Sequence, residues 1–520
     1  MTAKWVSLIA GTFLLVLVGC QPRAVSQPVE AGTPAPDTAT PSRPPDTVTL
    51  PAPTPTTAAT PPSKTPKPLP TVPLTVEGAL SEEGPWWLLQ ADEGLWALNP
   101  DGSGLTLILD RSDSDPEPHA YHYAPSPAGG LLALIEIEDR YAFSPPRLQL
   151  LKLPDGQITP IATLHPAAPD AATDLDAYDR WVATGFLNTL AWSPDGAHLA
   201  FNGVIDGESG DLYSYSLTDN RLARLTSGPT ESVFPTWSPD GRRIVHGSVV
   251  RLNAQMSGAG YDYTGVWSAA ADGSTVELLF ESEIVGFENV LGWMSDSVLL
   301  MDSETPNENP FCSYWDLNRV DLESGGKELL VGVRYAARAF DPESQTALFS
   351  VPAESGCEGD LRPGLYVLNA ASTQPPTRFV EDVAWEIAWS AEAGLFFAGT
   401  DLGVLAVDTS GQFIDLVVPQ GSFGLPAVAP GSQRLAWGGN GLWIGTLQDN
   451  IDQPPRQLHT GRIWELGWSA DGQHLLYLTG EGVYLASEPD FAPHQVAGFR
   501  GYSPVWVPSA APRVAISLQG

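Results

Sequence analysis

Residues 190–203 read LAWSPDGAHLAFNG, and 45 residues further on the chain reads PTWSPDGRRIVHGS over 235–248. A worn third version, LGWSADGQHLLYLTG, occupies 466–480. Such recurrence means that one short unit is used many times, because a module of this length cannot bury its apolar face alone and must stack on its own copies. Inside the motif, Pro and Gly suit a tight turn and Asp can bond its own backbone there. The preceding Trp offers a large apolar surface for packing between units. The Asp is accordingly read as a turn residue and not as part of an active site.

Further copies begin at Tyr123, Gly292, Ala339, Ala388, Ala427 and Val505, each an apolar stretch, a turn and an alternating strand. Second hairpins lie between most of them, clearest at 211–226 (DLYSYSLTDNRLARLT), 265–280 (GVWSAAADGSTVELLF) and 364–380 (GLYVLNAASTQPPTRFV). Four short strands per unit, at roughly 40–60 residues per unit, is the period of propeller blades. The expected fold is all-β, a single β-propeller of four-stranded antiparallel blades. An outer hairpin without its own anchor, GLWALNPDGSGLTLIL (94–109), precedes the series. Pairing it with the C-terminal strands would close the ring in a composite blade, which predicts eight or nine blades.

The repeats resemble those of the TolB-type propeller, a relative of the WD repeats. The likeness runs over 86–520 and is strongest at 188–248 and 464–486. TolB carries a separate α/β domain ahead of its propeller and is soluble in the periplasm; here a different N-terminal region stands in that place. The partnership known for TolB therefore does not transfer.

That N-terminal region has two parts. Lys4 precedes an apolar run, Trp5 to Val18, ending in Leu17-Val18-Gly19-Cys20. A short positive segment, a short greasy core and a small-residue cleavage site make a secretion signal rather than a membrane span. The ending resembles the bacterial lipobox, which implies removal of 1–19 and a lipid on Cys20. Residues 20–80 form the lipidated Cys and a Pro/Thr/Ala-rich linker that lacks the bulky side chains of a core. In an extended polyproline-like state it would reach about 150 Å, a stalk for the propeller assigned to 81–520. The expected location is extracytoplasmic, held to the bacterial cell membrane or outer membrane by lipid.

The whole chain carries a formal charge of -35, and almost none of it belongs to the stalk. So acidic a body repels phosphate backbones and excludes nucleic acid as a partner. Hydrolase and nucleotide signatures are missing: there is no G-x-S-x-G, no H-E-x-x-H and no Walker loop. Acidic groups at 112–122 (Asp113, Asp115, Glu117, His119, His122) and 174–179 do not match the calcium-loop spacing, so no metal and no cofactor is assigned. His198, His246 and His474 fall on strands, where packing is their expected role.

Propeller geometry puts the first-to-second and third-to-fourth strand turns on one face, and these stay short. The other face receives the long connections at 164–186, 249–264, 302–311 and 351–364. Long loops on a rigid scaffold are the usual place for recognition. Their aromatic and charged residues Tyr178, Arg180, Trp181, Arg251, Tyr261, Asp262 and Tyr263 are the binding-face candidates, with capping of the flanking blades as the competing role. Cys312 and Cys357 sit in comparable loops of neighbouring blades. A disulfide between them suits an oxidising compartment, and two buried thiols are the alternative. The expected function is a non-catalytic binding module for a protein or envelope glycan, expected to act as a monomer; the other reading is a glycan or peptide hydrolase or lyase with carboxylates at the propeller axis.

Overall fold

The computed structural model describes residues 78–111, 120–139, 142–185, 190–251, 261–282, 285–286, 288–305, 314–333, 337–352, 361–401, 403–416, 418–419, 421–422, 424–447, 455–499 and 501–509. Cys20, Cys312, Cys357, the signal and nearly all of the stalk lie outside them, as do Asp113, Asp115, Glu117 and His119. The strands form nine antiparallel sheets, eight of four strands and one carrying a short fifth. The chain is a nine-bladed propeller, the upper of the two expected counts and the architecture that the TolB-type repeats implied.

Blade 1 is the composite one. Its strands Trp86–Ala91, Gly94–Leu98 and Thr106–Asp110 come from the N-terminal side, and Tyr502–Val507 adds the innermost strand. The C-terminal segment thus supplies one strand and the N-terminal segment three. Blades 2 to 9 follow in chain order at 120–163, 190–224, 231–281, 288–333, 337–380, 384–416, 427–459 and 463–497. Inner strands of several neighbouring blades touch one another, which places them around the axis. Apolar residues fill the spaces between blades: Ala200, Leu212, Trp237, Ile244 and Ala269 pack between blades 3 and 4, and Leu348, Leu365, Phe396 and Ala398 between blades 6 and 7.

The recurring pentapeptide does three separate things in this packing. Ser193 Oγ donates to Asp195 Oδ1 at 2.6 Å, and that oxygen accepts the Ala197 N–H at 2.9 Å. Ser238 with Asp240 and Ser469 with Asp471 repeat the arrangement at 2.6 and 2.5 Å. Partial burial works against the charge on these three carboxylates, but the serine and backbone bonds outweigh it and hold them below the ordinary range. Gly196 adopts φ +68°, and a Cβ there would lie 2.7 Å from Ala128 Cβ in the corresponding turn of the preceding blade. Glycine is needed both for the turn and for the approach of one turn to the next.

The Trp ties blade to blade. Trp192 Nε1 donates to the carbonyl of Ala124 at 3.0 Å, Trp237 Nε1 to Ala191 at 2.8 Å and Trp468 Nε1 to Ala427 at 3.2 Å. In each case the acceptor lies on the inner strand of the preceding blade, one residue before its own anchor position. These bonds make the register of the three blades that carry Trp192, Trp237 and Trp468 depend on the blade before.

One long connection is not a loop. Residues 164–186 contain a 3-10 turn, Pro169–Ala172, and an α-helix, Leu175–Gly185, here called α1. Asp174 caps it: its Oδ1 accepts the Asp176 N–H at 3.0 Å, and its carbonyl accepts the Tyr178 N–H at 3.0 Å. One carboxylate of the acidic group at 174–179 is thereby accounted for without a metal.

The strand histidines are structural. His474 Nδ1 lies 2.8 Å from Ser487 Oγ, and the His198 ring sits 6.0 Å from the Trp237 ring. His246 is 3% exposed, and burial pushes its imidazole down to about 4, against a smaller opposing effect of the Gly247 carbonyl.

Two outcomes follow from the packing. Trp237→Phe keeps the ring and loses the bond to Ala191, so urea unfolding should show a loss of about 1 kcal/mol, while Trp237→Ala should cost about 3–5 kcal/mol. Because His246 is neutral when folded and titrates normally when unfolded, its contribution is complete above pH 6.5 and is lost as pH falls toward about 4. His246→Phe should therefore flatten the decline of the thermal midpoint across that window; an unchanged slope would contradict the assignment.

Candidate functional site

The face bearing the second-to-third strand connections and the links between blades, called the loop face here, carries a rim of charged and aromatic groups near the axis. Its first sector is α1, which follows the last strand of blade 2 and makes contacts with blades 2 and 4. Trp181 is 2% exposed and packs with Ile137, Ala168 and Ala171; its Nε1 donates to the Ser144 carbonyl at 2.9 Å. Ala183, two residues along and so on the opposite side of the helix, packs with Val233, Val249 and Tyr263 of blade 4. The helix has apolar partners on both sides because Trp181 and Ala183 leave it in different directions. Gly185 closes it where a Cβ would come 3.0 Å from Ile137 Cδ1.

Arg180 completes the anchorage. Its Nε donates to Glu231 Oε1 at 2.9 Å, and the other oxygen of Glu231 accepts the Gly210 N–H. Glu231 is the first residue of the inner strand Glu231–Trp237, so the pair fastens α1 to the axial end of blade 4. Nearby, Arg224 Nη2 bonds Asp211 Oδ2 at 2.5 Å and Arg224 Nη1 lies 3.3 Å from Asp206 Oδ1. Burial of Asp211 outweighs its bonds to Arg224, Thr226 and Ser209 and lifts its carboxyl above the ordinary range. His165, also buried, is pushed below the ordinary imidazole value by burial, which prevails over the Pro166 carbonyl bonded at 2.7 Å.

A second sector belongs to blade 5. Glu288, first in its inner strand, accepts from Ser282 Oγ at 2.6 Å and Ser303 Oγ at 2.5 Å, with Lys327 Nζ 3.7 Å away. Asp302 is fully buried, accepts from Asn289 Nδ2 at 2.9 Å and is paired with Arg338. Thus Glu231, Glu288 and Asp302, on the first two strands of these blades, are all bonded to protein partners.

The third sector has the opposite character. Trp385 and Trp464 are 51% and 39% exposed, each the second residue of an inner strand, in blades 7 and 9. Each is followed by a glutamate, Glu386 or Glu465, and each stands four residues before the anchor Trp, Trp389 or Trp468. Loop length does not mark this pair; its only signal in the sequence is the repeated Trp-Glu-(Ile/Leu) at the start of the inner strand.

The seven expected binding-face residues divide in the structure. Arg180 and Tyr178 are partly exposed, and the Tyr178 ring meets Phe143 edge-on at 6.1 Å. Asp262 is half-buried, and its backbone pairs with Arg251, while Tyr261 pairs with Gly286. Trp181 and Tyr263, expected on an exposed face, are buried: one cements α1 to blade 2 and the other, 4% exposed, sits under α1 with its OH 3.4 Å from the Glu288 carbonyl. Among the described residues no group of His, Cys, Asp and Glu is arranged to hold a metal. A cavity of about 500 Å³ opens on the other face between blades 5 and 6, lined by Met294, Arg319, Lys327, Glu328 and Gln345. Its basic groups are already paired, Arg319 with Glu328 and Lys327 with Glu288.

No family model matches the chain. An uncharacterised protein of Agrobacterium fabrum is 34% identical over 91 residues, which is 18% of this chain and 27% of that protein. A protein of Sulfurisphaera tokodaii named as a Tricorn-like protease N-terminal subunit is 27% identical over 118 residues, 23% of this chain and 55% of its own length. The chain therefore spans from about a quarter to about half of the curated relatives it matches. A crystal structure of the eukaryotic initiation factor superposes with a TM-score of 0.53 at 12% identity, over 82% of this chain and 99% of that one. At such identity the likeness shows the fold alone. The fold is a β-propeller.

The anchorage of α1 can be tested directly. Arg180→Ala leaves Glu231 without its cation; since the Arg180 side chain is 38% exposed, solvent screens part of the loss, and about 1–2 kcal/mol should disappear in urea unfolding. Hydrogen exchange should speed up over 175–185 while blade 9 keeps its protection.

Proposed function

We propose that this chain is an extracytoplasmic, lipid-anchored propeller whose loop face binds a protein or an envelope glycan without transforming it. The observation that carries the reading is the contrast around the rim. Carboxylates near the axis in blades 4 and 5 are bonded to arginine, lysine, serine and backbone donors, which leaves them poorly suited to proton transfer or nucleophilic attack. Large aromatic side chains, which contribute much contact area at low entropic cost, are exposed on the same rim. The acidic body argues against nucleic acid as the ligand. A hydrolase or lyase acting at the axis would need an acid and a base free to change protonation state in reach of the same bond.

The Pro-rich stretch and the lipobox-like Leu17-Val18-Gly19-Cys20 support placement on the outer side of a bacterial membrane, with the propeller held away from the surface.

Photo-crosslinking residues placed at Tyr178 and Trp385 of the full chain in intact cells should yield discrete adducts, and the same residues at Asp219 and Arg242 on the opposite face should not. Adducts confined to the latter pair would reverse the assignment of faces. For the anchor, the expectation is that a clickable fatty acid fed to cells labels the wild-type chain and not Cys20→Ala. Equal labelling of both would remove Cys20 as the lipid site.

A further inference from the structure

Two Asn-Gly pairs occur in the chain, Asn202–Gly203 and Asn440–Gly441, and the fold treats them oppositely. Asn202 is 4% exposed near the end of the strand His198–Gly203, where Asn202 is paired with Leu212 and Gly203 with Asp211. A Cβ at Gly203 would come 3.2 Å from the Leu164 carbonyl oxygen, so the backbone there is closely surrounded. Asn440 instead is exposed between Arg434–Trp437 and Leu442–Thr446, the second and third strands of blade 8, and therefore lies on the loop face. Its backbone N–H donates to the Gly421 carbonyl at 2.7 Å, which ties this hairpin to the link from blade 7. Among the described residues its carboxamide has no hydrogen-bond partner, and neither has the Gly441 N–H. The matching hairpins of blades 7 and 9 are braced: Thr400 Oγ1 donates to the Gly403 carbonyl at 3.0 Å and Thr479 Oγ1 to the Gly482 carbonyl at 3.2 Å. Three residues before Gly441 the chain has Gly438, which offers no hydroxyl. The Asp-Gly pairs of the opposite face are held as well, since Asp195, Asp240 and Asp471 accept serine and backbone bonds.

We propose that Asn440 is a site of spontaneous deamidation, a covalent change that adds charge to the loop face as the protein ages. The inference stands apart from the binding-module reading. Asparagine is a labile side chain, and a following glycine has no Cβ to hinder ring closure. The Gly441 nitrogen attacks Cγ of Asn440. As the new N–C bond forms, the proton of that nitrogen goes to a solvent base and the side-chain amide leaves as ammonia. The product is a five-membered succinimide. Water then adds to one of its two carbonyls and opens the ring, giving aspartate or isoaspartate, and no oxidant or reductant takes part. Gly441 is buried against Gln457 and Trp443, so base and water approach from the exposed Asn440 side. Either product carries a carboxylate that is ionised at neutral pH. Isoaspartate also inserts a methylene into the main chain and so disturbs the hairpin that the Gly421 carbonyl holds.

The test follows the full-length protein at neutral and at mildly alkaline pH by isoelectric focusing and peptide mapping. A form more acidic by one negative charge should accumulate, and faster at the higher pH because the attacking nitrogen must lose its proton. The map should place the change at Asn440, as aspartate and isoaspartate, with Asn202 intact. In guanidinium chloride, where the sheet no longer holds Asn202, both sites should convert. Asn440→Gln should lose the acidic form, since its longer side chain would have to close a six-membered ring, and its unfolding curve should overlay the wild type. Hydrogen exchange around Gly421 should be faster in aged wild type than in equally aged Asn440→Gln. Conversion of Asn202 as fast as Asn440 in the folded chain would mean that the fold does not select the site, and would overturn the proposal. The same acidic form appearing at the same rate in Asn440→Gln would overturn it too. So would an Asn440 that stays intact in the folded chain and converts only in denaturant, because the hairpin would then be a protection.

Discussion

The bond from an anchor tryptophan to the backbone of the blade before it is the interaction on which this architecture turns. A four-stranded blade has two apolar faces and cannot stand alone, so every blade depends on two neighbours. Apolar burial supplies most of the attraction but says little about angle or register. Direction comes from specific contacts: the indole N–H of Trp192, Trp237 or Trp468 reaching one carbonyl, and the left-handed Gly196 and Gly472 seated against the turn of the preceding blade. With the stacking angle set in this way the ring closes only when the last strand, Tyr502–Val507, takes its place beside Trp86–Ala91. Trp87 and Trp506 meet edge-on at 4.9 Å across that seam.

A closed ring of this kind has little freedom left, and variation is pushed to its loop face. There the chain uses two strategies. Between blades 2 and 4 it invests a helix, fixed by Trp181, Ala183 and the Arg180–Glu231 pair, that seals part of the rim. In blades 7 and 9 no helix covers the start of the inner strand among the described residues, and an indole, Trp385 or Trp464, is half-exposed there. The asymmetry gives one side of the rim a structural cover and the other an accessible chemical surface.

The repeat, the four-stranded unit and the composite closure were legible because they rest on local chemistry: turn residues at fixed offsets and alternating apolar positions. Asp195, Asp240 and Asp471 behave as turn residues for the reason that their spacing from Ser and Gly suggested. The candidate site was less legible. Residues 164–186 look like an irregular loop because Pro166, Pro169 and four aspartates interrupt them, and the Asp174 cap and the contacts of Trp181 and Ala183 with two different blades make a helix there worth forming. Trp181 and Tyr263 looked like interface anchors by residue type, yet type alone does not say whether a ring meets solvent or a neighbouring helix.

Local order along the chain was therefore determined by the sequence on its own: the strands, their tight turns and the identity of the unit that repeats. Blade number, the seat of α1 and the outward aim of Trp385 and Trp464 were decided by tertiary structure. The physical reason is range. A turn is settled by atoms a few bonds apart, whereas the exposure of Trp181 or Tyr263 depends on groups tens of residues away that meet only when the blades stack.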